Sequence, residues 1–345
     1  MSQPVLPSLT TTGIGSLPFE EAREGAGFVL QADLSVPFWP QLPQRNFLEG
    51  MVAQYSEGMP CVRPDHDRSK MVLAADDKYD ELQRFYENYL QDDPGLFAIS
   101  EDFALGFYSF LDEAEGCTWP VVKAQVTGPV TFASSIKDSE GLPLFGDTEL
   151  RDAAAKLLAR KAEWQIKKMR PLADESVLVF LDEPVLAAYG TSAYAGLSEE
   201  DVAELEGTIY EAVNNAGGIT GIHVCGNSDW GMVGRTGVQV INFDAYQYGQ
   251  TIALYPEEVS SLYDRGGCIA WGIIPTSQEV HEETADSLAE QLEGHVTNLA
   301  DKGFDEDLVW ERSILTPSCG AGSLKPDDAR RVFDLLAELQ QLLQG

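Results

Sequence analysis

The sequence contains little positive charge. Only 23 of its 345 residues are lysine or arginine, against 56 aspartates and glutamates, so the formal net charge is −33. Nucleic-acid binding requires clustered Lys and Arg, and anionic membrane surfaces attract basic segments. We therefore expect neither nucleic acid nor a membrane as a partner. The acidic surface fits either solubility in a salty cytoplasm or a docking face for a basic partner.

Cysteines and long apolar runs are also scarce. The five cysteines are odd in number and widely spaced, unlike the disulfide framework of a small secreted protein. The N-terminal segment MSQPVLPSLT has neither the basic nor the apolar region of a signal peptide. No apolar run approaches the ~18 residues of a membrane-spanning helix. We expect a cytoplasmic protein.

Short apolar runs with strand character alternate with longer amphipathic stretches. The predicted strands are 11–16, 31–36, 121–126, 176–181, 219–224, 238–243, 268–273 and 313–316. The clearest predicted helices are 152–170, a helix that begins after Ser198 and ends at Gly217, 285–299 and 326–343. Such alternation indicates an α/β fold with a parallel sheet.

Eight strand–helix units in a chain of this length favour a closed (β/α)8 TIM barrel. A doubly wound sheet is the alternative, but the sequence has no GxGxxG or Walker loop to support it. We predict a single domain over 1–345. The long polar stretch 38–102 is predicted to be a helical insertion near the barrel mouth.

Chemically informative side chains stand at or just after the ends of the predicted strands. They are Asp182, His223, Cys225, Asp244 and Cys319. The carboxyl ends of barrel strands form one ring, where the active sites of such enzymes are built. We therefore expect these residues to converge.

His223 and Cys225 are two residues apart in a predicted strand, so both side chains point to the same face. Imidazole and thiolate are zinc ligands, although an HxC pair alone also fits ordinary core packing. Cys319 lies in a glycine-containing loop. Together the three residues leave a fourth zinc position for Asp244, water or substrate, which is the catalytic arrangement.

Asp182 and Glu183 end a strongly apolar strand. A carboxylate there is poorly solvated unless it binds something. One interpretation is a cap for the helix that follows. The other is that Asp182 accepts a hydrogen bond from a substrate ammonium.

Five motifs resemble, in order, the catalytic domain of cobalamin-independent methionine synthase, within the uroporphyrinogen decarboxylase-like barrel superfamily. The matching segments are TGIGSLP at 12–18, VTGPVT at 126–131, LDEP at 181–184, IHVC at 222–225 and PSCG at 317–320. Each motif is modest alone, but their shared order makes the resemblance specific.

The resemblance implies zinc ligands His223, Cys225 and Cys319, with Asp244 near the position of the family's zinc glutamate. It assigns Ser16 and Asp182 to the amino-acid part of homocysteine. It also implies a second substrate carboxylate within 41–49, which the motifs do not assign to one residue. The implied activity is a zinc-dependent methyltransferase that converts homocysteine to methionine.

Two departures from the family concern the methyl donor. The chain has no room for the family's additional N-terminal barrel, which helps bind polyglutamylated folate. Segment 270–276 lacks the histidine that helps protonate the folate leaving group. A methyl-corrinoid needs no such acid, so we expect a methyl-corrinoid donor, carried on a corrinoid protein.

Three alternatives remain open at this point. A methylcorrinoid:thiol methyltransferase could use another acceptor such as coenzyme M, whose sulfonate would favour a basic residue over Asp182. A uroporphyrinogen decarboxylase-like lyase would need arginines at the mouth, and the predicted strand ends carry none. The third alternative is a non-catalytic protein that binds a corrinoid or metal.

Overall fold

The computed structural model describes residues 3, 5–194 and 196–345. Within these residues the strands are β1 (Thr10–Thr11), β2 (Val62–Asp65), β3 (Lys70–Leu73), β4 (Trp119–Thr127), β5 (Ala173–Asp182), β6 (Ile219–Val224), β7 (Val240–Phe243), β8 (Cys268–Ile274) and β9 (Ser313–Pro317). All strands except β2 and β3 form one curled parallel sheet in the order β1-β9-β8-β7-β6-β5-β4. The prediction of a parallel α/β sheet is therefore confirmed.

The described helices surround this sheet. They are α1 (Ala22–Gln31), α2 (Lys78–Tyr89), α3 (Glu101–Glu113), α4 (Pro129–Ser135), α5 (Thr148–Met169), α6 (Glu199–Asn215), α7 (Trp230–Arg235), α8 (Ala245–Tyr248), α9 (Pro256–Asp264), α10 (Ala285–Ala300), α11 (Glu306–Glu311) and α12 (Pro326–Gln344). Ser198 caps α6 through a reciprocal capping box with Asp201, as its sequence position predicts. None of the helices in the described ranges combines the length and apolar character needed to cross a bilayer.

The prediction of a strand at 31–36 is wrong. Helix α1 extends to Gln31, and Asp33 has a φ of 49°, a left-handed conformation that interrupts an extended run. Pro37 then lacks the N–H that a ladder needs. The predicted strand 11–16 is likewise reduced to Thr10–Thr11.

An irregular extended segment, 36–41, lies between β1 and β4 instead. The N–H of Val36 donates to the carbonyl of Thr11, and the N–H of Lys123 donates to the carbonyl of Pro37. Isolated parallel bridges join Phe38 to Lys123 and Gln41 to Ser16. These contacts place Gln41 beside the carboxyl end of the sheet.

The stretch 38–102 contains more than helix. It has three short 3-10 helices at Phe47–Glu49, Ala53–Tyr55 and Pro94–Phe97, the antiparallel hairpin β2–β3 and helix α2. The hairpin was not predicted, because its strands are only four residues long and rich in charge. Its edge residue Val72 forms a parallel bridge with Lys137, which follows α4.

Strand register aligns the functional residues. Thr127 of β4 is the neighbour of Asp182 of β5, and Asp182 is the neighbour of His223 of β6. His223 is in turn beside Asn242 of β7. Four polar residues therefore form a row across the carboxyl ends of four adjacent strands, which is where parallel sheets place their sites.

Candidate metal and substrate site

The structure brings His223, Cys225 and Cys319 together. One ligand atom from each lies within 4.8 Å of the others. The His223 Nε2 is 2.7 Å from the Cys225 sulfur, which is 2.8 Å from the Cys319 sulfur. The imidazole is buried, whereas Cys225 is exposed and Cys319 is partly exposed. One nitrogen and two sulfurs facing one opening match the protein ligands of a catalytic zinc site.

Asn242 determines which nitrogen of His223 faces the sulfurs. The Asn242 amide nitrogen donates to the Ala270 carbonyl and to the Thr316 hydroxyl, at 2.8 and 2.7 Å. The amide oxygen must therefore accept from His223 Nδ1, 2.5 Å away. This hydrogen bond holds the proton on Nδ1 and leaves the Nε2 lone pair for a metal.

The local electrostatics also favour the thiolate form of Cys319. The hydrogen bond from Cys225, together with His223, lowers the pKa of Cys319 to about 4. The same hydrogen bond and burial raise the pKa of Cys225. Metal ligation requires thiolates. The lowered pKa of Cys319 therefore already favours one of the two thiolates that a zinc ion would need.

Asp182 faces the same opening from the neighbouring strand. The residue is 5% exposed, and its Oδ1 has no hydrogen-bond partner among the described residues. Burial raises its pKa to about 6, against the opposing influence of His223 and Lys123. A buried, unpaired carboxylate oxygen is costly unless a ligand satisfies it.

Glu183 has a different role from its neighbour. Its carboxylate accepts from the N–H groups of Val130 and Thr131, both at 2.8 Å, and from the Thr131 hydroxyl at 2.6 Å. It therefore caps the start of α4 rather than the helix that follows β5. A Cβ on Gly128 would lie 2.1 Å from the Glu183 side chain, so this contact requires glycine.

The structure adds Glu49 and Gln41 to the site. Both are buried and both line the opening. Arg45 Nη1 pairs with Glu49 Oε1 at 2.5 Å, but Glu49 Oε2 has no partner within the part of the chain that is described. The Gln41 amide nitrogen donates to Gln54 Oε1 at 2.7 Å. The family resemblance placed a second substrate carboxylate within 41–49. That segment is irregular, so no periodic pattern in the sequence distinguishes Glu49 from its neighbours.

Ser16 follows β1 in the chain and contacts the loop that carries Cys319. Its Oγ accepts from the Gly322 N–H at 3.3 Å, and its carbonyl accepts from the Ala321 N–H at 2.9 Å. A Cβ on Gly320 would lie 2.1 Å from Ser16 Oγ. The glycine after Cys319 therefore allows this loop to pack closely on Ser16.

Asp244 lies close to the ligand group: burial and the nearby Cys319 raise the pKa of its carboxyl, against the influence of His223. The Asp244 Oδ1 accepts from the Gln247 N–H at 3.0 Å and caps α8. It is not a member of the three-residue ligand group found among the described residues. His281 is half-exposed and pairs with Asp328 at 2.9 Å.

The opening is a cavity of about 450 Å³ at the carboxyl end of the sheet. Its chemically active lining residues are Ser16, Gln41, Glu49, Asp182, His223, Cys225 and Cys319. No Lys or Arg is present among the described residues of the lining. We call this cavity the thiol pocket. It combines a candidate three-ligand metal group with two buried, partly unpaired carboxylates.

Fold and site together define a parallel α/β protein with a candidate metal centre at the strand ends. No protein-family model and no curated protein matches the sequence. Solved structures do match. One is a B12-independent methionine synthase from Shewanella sp. W3-18-1 in complex with selenomethionine, with a TM-score of 0.60 and 12% identity, covering 98% of both chains.

Two further solved structures are similar over nearly the whole chain. A methyltransferase from Methanosarcina mazei has a TM-score of 0.56 and 14% identity, covering 100% of this chain and 95% of its own. A putative vitamin-B12 independent methionine synthase from Listeria monocytogenes has a TM-score of 0.55 and 13% identity, covering 99% of both chains. The chain therefore has a methionine synthase-like fold, and the predicted resemblance is confirmed at the level of the fold.

Proposed function

We propose that the protein is a zinc-dependent methyltransferase that methylates the thiol of homocysteine to give methionine, with a methyl-corrinoid as donor. The observation that carries the proposal is the thiol pocket itself. It places a His/Cys/Cys group beside two buried carboxylates that have unpaired oxygens. A thiol amino acid offers a sulfur for the metal group and an ammonium for the carboxylates.

The metal group fits zinc by its donor chemistry. His223, Cys225 and Cys319 would hold the ion, with Asp244, water or the substrate sulfur as the fourth ligand. Zinc supplies Lewis acidity that stabilises a thiolate near neutral pH. The homocysteine thiol would lose its proton to solvent. Its sulfur would then form a bond to the donor methyl carbon, and the electron pair of the broken carbon–cobalt bond would leave with cobalt as Co(I).

The carboxylates favour an amino-acid substrate. Asp182 Oδ1 and Glu49 Oε2 are buried acceptors without partners among the described groups, so an ammonium would relieve the cost of burying them. Ser16 would contact the amino-acid part of the substrate at the other side of the pocket. The Shewanella neighbour binds selenomethionine, an amino acid of this type, which supports the same proposal.

The lining argues against the rival substrates. Coenzyme M carries a sulfonate and a uroporphyrinogen carries many carboxylates, and both anions need cationic partners. The described lining of the thiol pocket has none.

We also propose that segment 36–41 acts as the strand that closes the sheet into a barrel, as its contacts to β1 and β4 support.

The first test is metal content. Purified protein should contain about one zinc per chain, measured by atomic emission, and chelation should abolish methyl transfer. Cys319→Ser and Cys225→Ser should lose most of the zinc. Cys117→Ser is the matched control, because Cys117 is an exposed free thiol outside the ligand group. Full zinc and activity in both site variants would reject the metal assignment.

The second test is the donor. Homocysteine should be methylated by methylcobalamin, and faster by a methylated corrinoid protein, while methyltetrahydrofolate stays inert and coenzyme M is not an acceptor. Without an acid, loss of the folate amine forfeits a factor of about 10²–10⁴ in rate. Comparable turnover with methyltetrahydrofolate would contradict this proposal.

A further inference from the structure

Two more cavities lie in a row beside the thiol pocket. A cavity of about 360 Å³ between the β2–β3 hairpin and the end of α4 shares Met51 with the thiol pocket. A third cavity, of about 590 Å³, shares Lys137 with the second. We call these two neighbouring cavities the side groove. It borders the thiol pocket at Met51.

The charge of the side groove differs from that of the whole molecule. The chain carries 56 acidic residues in 345, yet the described lining of the side groove contains no Asp or Glu. It does contain Lys70, Lys137 and Arg151. Acidic residues return in the next cavity, which shares Pro143 and Gly146 with the third and is lined by Asp138, Asp147 and Glu149. In a protein of net charge −33, a cationic, carboxylate-free surface provides a local attraction for anions that the surrounding surface would repel.

Two of these cations are free to act on a ligand. Lys70 and Lys137 are exposed and form no ion pair with the residues that the structure describes. Arg151 is paired with Asp201 at 3.2 Å and contributes less. Asp65 stands opposite Lys70 in the β2–β3 hairpin, and its carboxylate accepts from the Arg68 N–H and lies 3.7 Å from Arg68 Nη1. Asp138, next to Lys137 in sequence, accepts from the N–H groups of Glu140 and Leu142.

The floor of the groove is apolar where it meets the thiol pocket. Phe47, Val52, Met71 and Ile136 line it together with Met51. Met51 is 36% exposed at the shared edge, and methionine adapts to irregular apolar partners. The groove therefore fits a molecule with a large apolar face and an anionic arm.

We propose that the side groove binds the methyl donor, with the apolar face of the corrinoid over Met51 and its nucleotide phosphate against Lys70 and Lys137. This inference rests on the proposed methyl transfer to a thiol. The donor methyl must lie in line with the sulfur, and the side groove adjoins the thiol pocket at a shared wall. Among methyl donors, a corrinoid combines a broad macrocycle with a phosphate-bearing arm.

The test reverses both lysine charges. Lys70→Glu with Lys137→Glu should raise the KM for methylcobalamin by at least tenfold, because one unit charge at about 4 Å in water changes binding about fivefold. The KM for homocysteine should stay unchanged. The matched control is Lys168→Glu with Lys302→Glu, which changes the net charge equally at exposed positions outside the described lining of the thiol pocket and the side groove.

Methylcobinamide distinguishes phosphate binding from general repulsion, because it lacks the nucleotide and its phosphate. The lysine pair should have little effect on its KM. An equal rise for methylcobalamin and methylcobinamide, or an equal rise in the control variant, would overturn the inference. An effect confined to methyltetrahydrofolate would also overturn it, since the groove would then bind the folate carboxylates.

Equilibrium dialysis of methylcobalamin separates this inference from the proposed reaction. Binding to the wild-type protein that weakens about tenfold or more in the lysine variant supports the groove even if no methionine forms. In that case the proposed function fails alone. Methyl transfer with the same Kd in both proteins would instead reject the groove and retain the function.

Discussion

Asp182 and Glu183 are adjacent in sequence and yet serve different purposes. Alternation along β5 turns Asp182 into the thiol pocket, whereas the Glu183 carboxylate accepts three hydrogen bonds from the start of α4. The sequence indicated both a helix cap and a substrate acceptor, but it did not show which role belongs to Asp182 and which to Glu183. That assignment depends on which neighbouring element lies above each carboxylate.

Asp182→Asn tests the proposed ammonium contact. The variant should keep its fold and zinc but lose a charge-assisted hydrogen bond worth about 1.5–3 kcal/mol. The KM for homocysteine should therefore rise by at least about tenfold, as steady-state kinetics would show. Asp174→Asn on the exposed start of the same strand is the control. Unchanged KM and kcat in Asp182→Asn would place Asp182 outside the site.

Lys123 is a buried cation that sequence reasoning did not identify. Its Nζ donates to the Ile14 carbonyl at 2.5 Å and to Gln125 Oε1 at 3.2 Å, and lies 4.6 Å from the Phe180 ring centre. Burial lowers its pKa to about 7, although Asp182 opposes this shift. A single lysine in an apolar strand gives no sign that the curled sheet will enclose it.

Stability should reveal this buried lysine through pH. The unfolded chain keeps the lysine protonated up to about pH 10.4, whereas the folded protein releases that proton near pH 7. The unfolded state therefore binds more protons between these values, and folding becomes more favourable as pH rises. Relative to Lys123→Met, wild-type protein should gain unfolding free energy from pH 6.5 to 9.5, measured in urea. The prediction would be contradicted if the difference in unfolding free energy between wild type and Lys123→Met did not change with pH. The same pH dependence relative to the exposed Lys168→Met would also contradict it.

At the scale of elements, the regular helices were predictable and segment 36–41 was not. Helix α5 follows from apolar residues at three- and four-residue spacing, and α6 from the Ser198 capping box. Segment 36–41 contains Pro37 and Pro40 and follows the left-handed Asp33. Its position is set by β1, β4 and α3, none of which is a local neighbour.

Gly106→Ala tests how α3 positions this segment. A Cβ at Gly106 would lie 2.1 Å from the carbonyl oxygen of Pro40, a backbone atom next to Gln41 of the thiol pocket. The substitution should cost about 1–3 kcal/mol of unfolding free energy and raise the KM for homocysteine.

Gly207→Ala in α6 is the matched control for this test. Nothing lies within 4 Å of its added Cβ. It should be neutral or stabilise the protein by up to about 1 kcal/mol, since alanine is the better helix former. Chemical denaturation of both variants gives the comparison. Equal behaviour of the two would show that α3 does not hold segment 36–41 in place.

At the scale of the whole molecule, net charge is the dominant feature. A charge of −33 produces self-repulsion in the compact state. Raising ionic strength from 0.01 to 0.15 M shortens the screening length from about 30 to about 8 Å. The Tm should therefore rise with sodium chloride, by several degrees on the scale of about 2–4 °C per kcal/mol for a large domain. Scanning calorimetry against equal osmolality of a neutral sugar measures this, and a flat or falling Tm would contradict it.

The sequence alone determined the parallel α/β class, most of the strands and the convergence of His223, Cys225 and Cys319. These follow from local periodicity and from the rule that the carboxyl ends of parallel strands share one edge. Tertiary structure decided the tautomer of His223, the unpaired oxygen of Glu49 and the cationic side groove. Each of these depends on contacts between segments distant in sequence, such as Asn242 with Thr316, and no local pattern encodes such contacts.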